Sequence, residues 1–270
     1  MKILLNQSFK AVDLGDINPN TTVLEWLRGN QFVGTKEGCA SGDCGACTAV
    51  VGELASINNK SEIQYKTINT CIALAYSLIG KHLITVEGLS EGTKLHPVQK
   101  AMVIENGSQC GFCTPGFIMS LFAMYHNEKS VNLSKINDAL SGNLCRCTGY
   151  RPIIDAAEKV FTSSQKDQFS DTEEAVIAQL DTINNEQPQG HLCHQDKQFF
   201  SPTSSTELAD LFIQHPEAKL LAGGTDLCLE FTQFLRDAKV LIHTGRVVDM
   251  ANVTLTDESL ELGASVTYSQ

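Results

Sequence analysis

The chain has 270 residues, 42% of them hydrophobic, and a net charge of −11 from 31 acidic and 20 basic residues. This length allows two or three domains, and the proportions are typical of a soluble globular protein. No basic stripe interleaved with aromatic residues is present, which argues against a nucleic-acid partner. The apolar run in Met1–Gln7 is too short for a signal peptide, and no stretch of about 18 apolar residues could cross a membrane, so a cytoplasmic protein without a membrane partner is expected.

Residues 1–90 are predicted to form a small mixed α+β domain. Its expected strands span residues 1–5, 9–14, 47–51, 65–68 and 84–86, the first two as a hairpin. A helix over residues 23–28 would be capped by Asn20 or Thr21 and end at Gly29. Between the helix and the third strand lies a glycine-rich, cysteine-rich loop.

That loop, Gly38–Cys47, contains the first group of cysteines. Cys39, Cys44 and Cys47 have C-x4-C-x2-C spacing, and Cys71 follows after a longer gap. This is the plant-type arrangement in which four thiolates bind a [2Fe–2S] cluster. Such a loop needs residues that accept positive φ, so that backbone N–H groups can approach the sulfur atoms. A zinc site or a set of buried thiols is the alternative, but zinc sites usually present paired C-x2-C units.

Residues 91–161 are predicted to form a bundle of four short helices. The expected helices begin at Pro97, at Thr114–Pro115, after the cap Ser134 and at Pro152; ends are expected at Asn106–Gly107, Gly142 and about Phe161.

The second group of cysteines lies in two turns of this bundle. Cys110 and Cys113 precede the second helix, and Cys145 and Cys147 lie between the third and fourth helices. Two turns at one end of a bundle could enclose a cluster, with helix N-termini favouring the thiolates. Zinc remains the alternative, although C-x-C spacing matches common zinc sites poorly. Eight of the ten cysteines thus form two groups of four, as expected for metal binding in a reducing compartment.

Residues 162–195 are polar and are predicted to be a linker. One apolar face within it, formed by Val176, Ile177, Leu180 and Ile183, indicates a single docked helix. His191, Cys193 and His194 follow closely, but three candidate ligands in a linker, with no fourth at workable spacing, are more often bystanders than a metal site.

A third unit is expected from about residue 196. A helix start at Ser204–Glu207 precedes a strand at 219–222, a turn at Gly223–Gly224 and a helical stretch to about Arg236. Further strands are expected at 240–242 and 260–263, and the strand-like end suggests that the remainder of this domain is missing. The paired glycines would let backbone N–H groups approach a pyrophosphate, although by itself the motif also suits a structural turn.

Two longer runs, residues 107–116 and 141–150, resemble the iron–sulfur signatures of the xanthine oxidase family of molybdenum hydroxylases. The loop 38–47 with Cys71 resembles the ferredoxin-like module of the same family. The resemblance covers most of residues 1–161 and resumes at 215–231. It implies a ferredoxin-like β-grasp domain, a four-helix [2Fe–2S] bundle and, after the linker, the N-terminal part of an α+β FAD-binding domain over residues 196–270.

The resemblance also implies specific roles. The FAD-pyrophosphate loop would consist of Leu220, Leu221, Ala222, Gly223, Gly224, Thr225, Asp226 and Leu227. Gln109 and Cys147 would lie near the pterin of a molybdenum cofactor in a large partner subunit, within a heterodimer or a dimer of heterodimers. Hydroxylation would occur in that partner, so no catalytic residue is expected in this chain.

By this resemblance, electrons from molybdenum would pass through the second cluster and then the first to FAD and NAD⁺ during hypoxanthine or xanthine oxidation. A subunit of a related aldehyde or N-heterocycle oxidoreductase is one alternative. A free-standing iron–sulfur carrier and a zinc-stabilised interaction protein are the others.

Overall fold

A computed structural model describes residues 1–8, 10–57, 60–162, 166–186 and 190–268. The strands are β1 (Lys2–Leu5), β2 (Val12–Asp13), β3 (Thr48–Ile57), β4 (Lys60–Asn69), β5 (His82–Ile84), β6 (Gly190–His194), β7 (Lys197–Ser201), β8 (Lys219–Leu221), β9 (Val240–His243), β10 (Val253–Leu255) and β11 (Leu260–Leu262). The α-helices are α1 (Val23–Gly29), α2 (Pro97–Ile104), α3 (Thr114–Asn127), α4 (Leu133–Leu140), α5 (Arg151–Thr162), α6 (Gln168–Glu186), α7 (Ser205–Gln214) and α8 (Leu229–Thr232).

The first sheet has the strand order β2-β1-β5-β3-β4, with β1 and β5 parallel and the other pairs antiparallel. The expected hairpin of β1 and β2 is confirmed, but β3 and β4 are ten residues long and extend well beyond the predicted strands. Their outer halves carry exposed polar residues such as Glu62 and Gln64. The first residues of β4, 60–62, are all polar and exposed, so they show no apolar alternation from which a half-buried strand is recognised.

The cap of α1 differs from the prediction. Thr22 accepts a hydrogen bond from the Glu25 N–H at 3.1 Å, and the Glu25 carboxylate accepts one from the Thr22 N–H at 2.8 Å. Asn20, expected to be a cap, instead pairs through its amide with the backbone N–H and C=O of Ala238, both at 3.0 Å. Asn20 therefore ties the first domain to the third unit, a role that local sequence does not reveal.

The first sheet is covered on both faces. Alternate residues along a strand point to opposite faces. One core combines residues of the sheet with helices α2 to α6, and its sheet residues are Leu4, Val50, Ile63, Tyr65 and Ile84. The other combines the sheet with α1 and the third unit, and its sheet residues are Ile3, Leu5, Ala49, Val51 and Leu83. The sheet is thus packed between the bundle and the third unit.

The four predicted helices of the bundle are present as α2 to α5. Helix α4 begins earlier than predicted. The Asn132 side chain accepts a hydrogen bond from the Lys135 N–H at 3.0 Å, so the helix begins at Leu133 rather than after Ser134. It also ends at Leu140, before Gly142. At the other end of the bundle, Tyr65 of β4 packs edge-to-face on Phe122 of α3, with 5.5 Å between ring centroids.

The stretch expected to be a linker contains α6 and β6. The predicted apolar face of α6 is confirmed, since Val176, Leu180 and Ile183 are buried against the first sheet. The carboxylate of Glu173 accepts a hydrogen bond from the Ile63 N–H of β4 at 3.0 Å. The helix therefore straps the first sheet and protects a donor on its edge.

The third unit contains a four-stranded sheet of order β6-β7-β9-β8, in which β7, β9 and β8 are parallel. Helix α7 begins after Ser204, as expected. The helical stretch predicted to reach Arg236 is only the single turn α8, because Leu235 adopts φ +51° and the Arg236 N–H bonds back to Glu230 O at 2.8 Å. No helix in the described part of the chain is both long and apolar enough to span a bilayer.

Candidate iron–sulfur and flavin sites

The first four cysteines converge near the adjoining ends of β3 and β4. Cys39, Cys44 and Cys47 lie on the loop before β3, and Cys71 lies two residues after the end of β4. The pairing of β3 with β4 brings both strand ends together, so Cys47 and Cys71 have their sulfur atoms 3.2 Å apart. Contact with Cys71 lowers the pKa of Cys47 to about 7, and contact with Cys47 raises the pKa of Cys71. One proton shared between two sulfurs is readily displaced by a metal, which binds the thiolates.

Backbone donors surround the sulfur of Cys39. The N–H groups of Ser41, Asp43 and Cys44 point at it from 3.4, 3.2 and 3.4 Å. A left-handed Ala40, with φ +54°, makes this nest of donors possible. Burial alone would raise the pKa of Cys39, but the hydrogen bonds from Ser41 and Cys44 outweigh it and lower the pKa to about 6. Such a nest stabilises anionic sulfur and fits a [2Fe–2S] cluster.

The second four cysteines converge where the two turns of the bundle meet. Cys110 contacts Cys147, and Cys113 contacts Cys145. Burial would raise the pKa of Cys145, but hydrogen bonds from Thr148 lower it to about 7. Cys145 is buried, whereas Cys110 and Cys147 are exposed. This set therefore fits a cluster that reaches the protein surface on one side.

The two cysteine groups are joined by direct contacts. The Leu144 N–H donates to the carbonyl of Cys44 at 3.0 Å, and Leu144 is covalently followed by Cys145. Next to it, the Asn143 amide donates to Gly45 O at 2.9 Å. A Cβ at Gly45 would lie only 2.1 Å from Gly142 O, so glycine is needed for this close approach. One hydrogen bond, from Leu144 to Cys44, followed by the covalent bond from Leu144 to Cys145, thus connects the two groups.

The loop expected to bind FAD lies on the other side of the first group. Gly224 has φ +74°, and a Cβ there would lie 3.6 Å from the carbonyl of Ile72, the residue after Cys71. Gly223 is exposed, and nothing lies within 4 Å of where its Cβ would be. The other residues of the loop divide into buried Leu221, partly buried Leu227 and exposed Leu220, Ala222, Thr225 and Asp226. An open, glycine-turned loop of this kind fits a pyrophosphate.

Gln109 is exposed beside Cys110, so its assignment as a pterin neighbour remains a prediction.

The three ligand-type residues of the predicted linker, His191, Cys193 and His194, lie in β6 and are divided between the two faces of this strand. The Cys193 sulfur lies 3.3 Å from His191 Nε2, while His194 Nδ1 pairs with Asp16 at 2.7 Å.

One group of ligand-type residues was not predicted. His96 and His126 both direct Nε2 to the same oxygen of Asp167, at 2.6 and 2.8 Å. The Val98 N–H donates to His96 Nδ1 at 3.2 Å, so the proton of a neutral His96 ring is on Nε2 and donates to Asp167. The trio is therefore a hydrogen-bonded lock rather than a metal site. Its members are far apart in sequence, so no motif spacing could indicate it.

Comparison with known proteins agrees with this arrangement. Residues 16–76 match a family described as "2Fe-2S iron-sulfur cluster binding domain", residues 85–158 match a "[2Fe-2S] binding domain", and residues 195–270 match an "FAD binding domain in molybdopterin dehydrogenase".

Similar proteins include the xanthine dehydrogenase of Emericella nidulans, 35% identical over 96% of this chain and 22% of its own length. Aldehyde oxidase 1 of Bos taurus is 31% identical over 100% of this chain and 23% of its own length. The solved structure of the aldehyde oxidoreductase from Desulfovibrio gigas superposes with a TM-score of 0.52 and 28% identity, covering 60% of this chain and 17% of that one. The chain thus spans about a fifth of the length of these relatives.

Fold, cysteine geometry and matches define a class: redox proteins in which two [2Fe–2S]-binding domains precede an FAD-binding domain. Within that class, the chain belongs to the xanthine oxidase family, which includes xanthine dehydrogenases and aldehyde oxidases, and corresponds to its iron–sulfur and flavin part.

Proposed function

We propose that this chain is the electron-transfer part of a xanthine dehydrogenase-type molybdenum hydroxylase, receiving electrons at Cys110 and Cys147 and delivering them beside Gly224. The observation that carries this proposal is the position of the loop 38–47. The carbonyl of Cys44 in this loop accepts a hydrogen bond from Leu144 of the bundle. Ile72, which follows Cys71, lies beside Gly224 in residues 220–227, called the flavin loop below. When bound, the clusters supply one-electron carriers and the flavin a carrier that exchanges one or two electrons.

The chain's own residues hold these groups in order and control their exposure to water. Cys39, Cys44, Cys47 and Cys71 would bind the inner cluster, and Cys110, Cys113, Cys145 and Cys147 the outer one. Cys47 and Cys71 are 1% and 3% exposed, so water is excluded from that side of the inner site. The N–H nest on Cys39 stabilises the negative charge that reduction adds. Residues 220–227 would bind the FAD pyrophosphate.

The exposed side of the second cysteine group supports a partner. Phe112, Leu144 and Tyr150 are 49%, 47% and 39% exposed around Cys110 and Cys147. Exposed apolar side chains around a redox site are typical of a docking surface. The partner proposed here is a large molybdenum-cofactor subunit or region, with Gln109 and Cys147 near its pterin, in a heterodimer or dimer of heterodimers.

Further details belong to the same proposal. The domains would span 1–90, 91–161 and 196–270, with 162–195 as the connecting segment. Purine oxidation with NAD⁺ as acceptor, in the cytoplasm, is the activity proposed here, and aldehyde or N-heterocycle oxidation is the alternative that the substrate test below distinguishes.

Purification of the tagged chain from its own cells tests this proposal. We expect a molybdenum-containing complex in which hypoxanthine, added without oxygen, reduces the iron–sulfur centres, and NAD⁺ reoxidises them. An aliphatic aldehyde serves as the matched substrate control. Reduction by the aldehyde alone would favour the aldehyde oxidoreductase, and elution of the chain without molybdenum would favour a free-standing carrier.

A further inference from the structure

A side chain of the third unit contacts the first cysteine loop. Gln233, the residue that follows α8, donates from Nε2 to the carbonyl of Ala40 at 2.9 Å and lies 3.4 Å from the carbonyl of Cys39. Cys39 is one of the four cysteines of the first group. Through this amide, the part of the chain that carries the flavin loop holds the backbone at a cluster ligand.

The held backbone is strained. Ala40 has φ +54°, a left-handed conformation that is unfavourable for a residue with a Cβ. This turn directs the N–H groups of Ser41, Asp43 and Cys44 at the sulfur of Cys39. A hydrogen bond on the Ala40 carbonyl from outside the loop therefore stabilises the turn and, with it, the N–H nest.

The connection from Gln233 back to the flavin loop is short. The Cys228 N–H bonds to Gly224 O at 2.9 Å, and the Gln233 N–H bonds to Leu229 O at 2.8 Å. Cys228 is fully buried, and burial raises the pKa of its thiol to about 12, so it serves packing. Two backbone hydrogen bonds thus link the Gly223–Gly224 turn to Gln233 as one compact piece.

We propose that Gln233 is a positioning residue that tunes the reduction potential of the inner iron–sulfur centre and couples it to the flavin loop. This inference rests on the proposed function. The amide N–H directs the positive end of its dipole toward the loop, which favours the form carrying one more electron. Removal of the amide weakens that stabilisation and releases the Ala40 turn.

Redox titration of the iron-loaded full chain, followed by low-temperature EPR, tests this role. Gln233→Leu should shift the midpoint potential of the inner centre to a more negative value and change its g-values. Gln233→Glu should shift the potential further, because a carboxylate cannot donate and adds negative charge. The outer centre serves as an internal control, and Gln214→Leu, at an exposed glutamine of α7, should change neither signal.

The outcomes separate the two proposals. Loss of the inner signal alone in Gln233→Leu, with the outer signal retained, would also support a positioning role. An unchanged inner potential and unchanged g-values in both Gln233 variants, at full iron content, would overturn it. Failure of the unaltered chain to show two signals would instead refute the proposed function.

Discussion

Asp167 shows how one buried carboxylate joins distant parts of the chain. Its side chain is 0% exposed and accepts hydrogen bonds from His96 of the bundle, from His126 at the end of α3 and from the Ser170 N–H in the first turn of α6. Burial alone would raise the pKa of Asp167, but the bonds from His126 and His96 outweigh it and hold the pKa well below its usual value of 3.8. Asp167 therefore joins helix α6 to the bundle.

Asp167→Ala should lower the free energy of unfolding at pH 7 by on the order of 3 kcal/mol, because it leaves two buried imidazole donors without an acceptor and removes the α6 cap. Urea unfolding measures this loss. Asp171→Ala, at an exposed first-turn position, should cost at most a few tenths of a kcal/mol.

The stabilisation by Asp167 also depends on pH. Because the pKa of Asp167 is lowered in the folded state, its carboxylate stabilises the fold above the usual pKa of 3.8. This stabilisation is lost as the pH falls through the lowered pKa. The deficit of Asp167→Ala should therefore shrink in acid; a deficit no larger than that of Asp171→Ala would contradict the lock.

At the scale of elements, the junction of the cluster loops depends on two glycines. A Cβ at Gly45 would lie 2.1 Å from Gly142 O, and one at Gly116 would lie 2.2 Å from Gly45 O. Ser120 of α3 supports the junction by donating to the Asn143 side chain at 2.6 Å. Helix α3 and the turn after α4 therefore meet the first loop backbone to backbone.

Gly45→Ala should lower the free energy of unfolding by about 2–4 kcal/mol, combining backbone strain at φ +69° with the clash against Gly142. Gly92→Ala is the matched control, since Gly92 has φ +59° with nothing within 4 Å of its Cβ position; it should cost only about 1 kcal/mol. Urea unfolding measures the free energy of unfolding of both variants. Equal losses in Gly45→Ala and Gly92→Ala would show that the junction is not tightly packed.

The sequence was informative where chemistry is local. Short cysteine spacing indicated the candidate ligands that share one turn, which are Cys39, Cys44 and Cys47, the pair Cys110 and Cys113, and the pair Cys145 and Cys147. The approach of Cys71 to Cys47 and of Cys145 to Cys113 instead depends on segments that are distant in sequence. The apolar face of α6 was visible as helical periodicity. The lengths of β3 and β4, the Asp167 lock and the Gln233 contact were not visible, because each depends on residues distant in sequence.

At the scale of the whole molecule, the loop 38–47 has a bundle on one side and the flavin loop on the other. The first sheet is the platform for both, since one face packs on the bundle and the other on the third unit. The order of sites thus follows from the packing order of the domains. The central claim is that each cysteine group binds its own [2Fe–2S] cluster.

Low-temperature EPR with metal analysis of the reduced chain tests that claim most directly. We expect about four irons per chain and two distinct [2Fe–2S] signals. Cys44→Ser should remove the signal of the first cluster and Cys145→Ser the signal of the second. Circular dichroism should show that both variants remain folded. Zinc without reducible iron, or loss of both signals in either folded variant, would contradict two independent clusters.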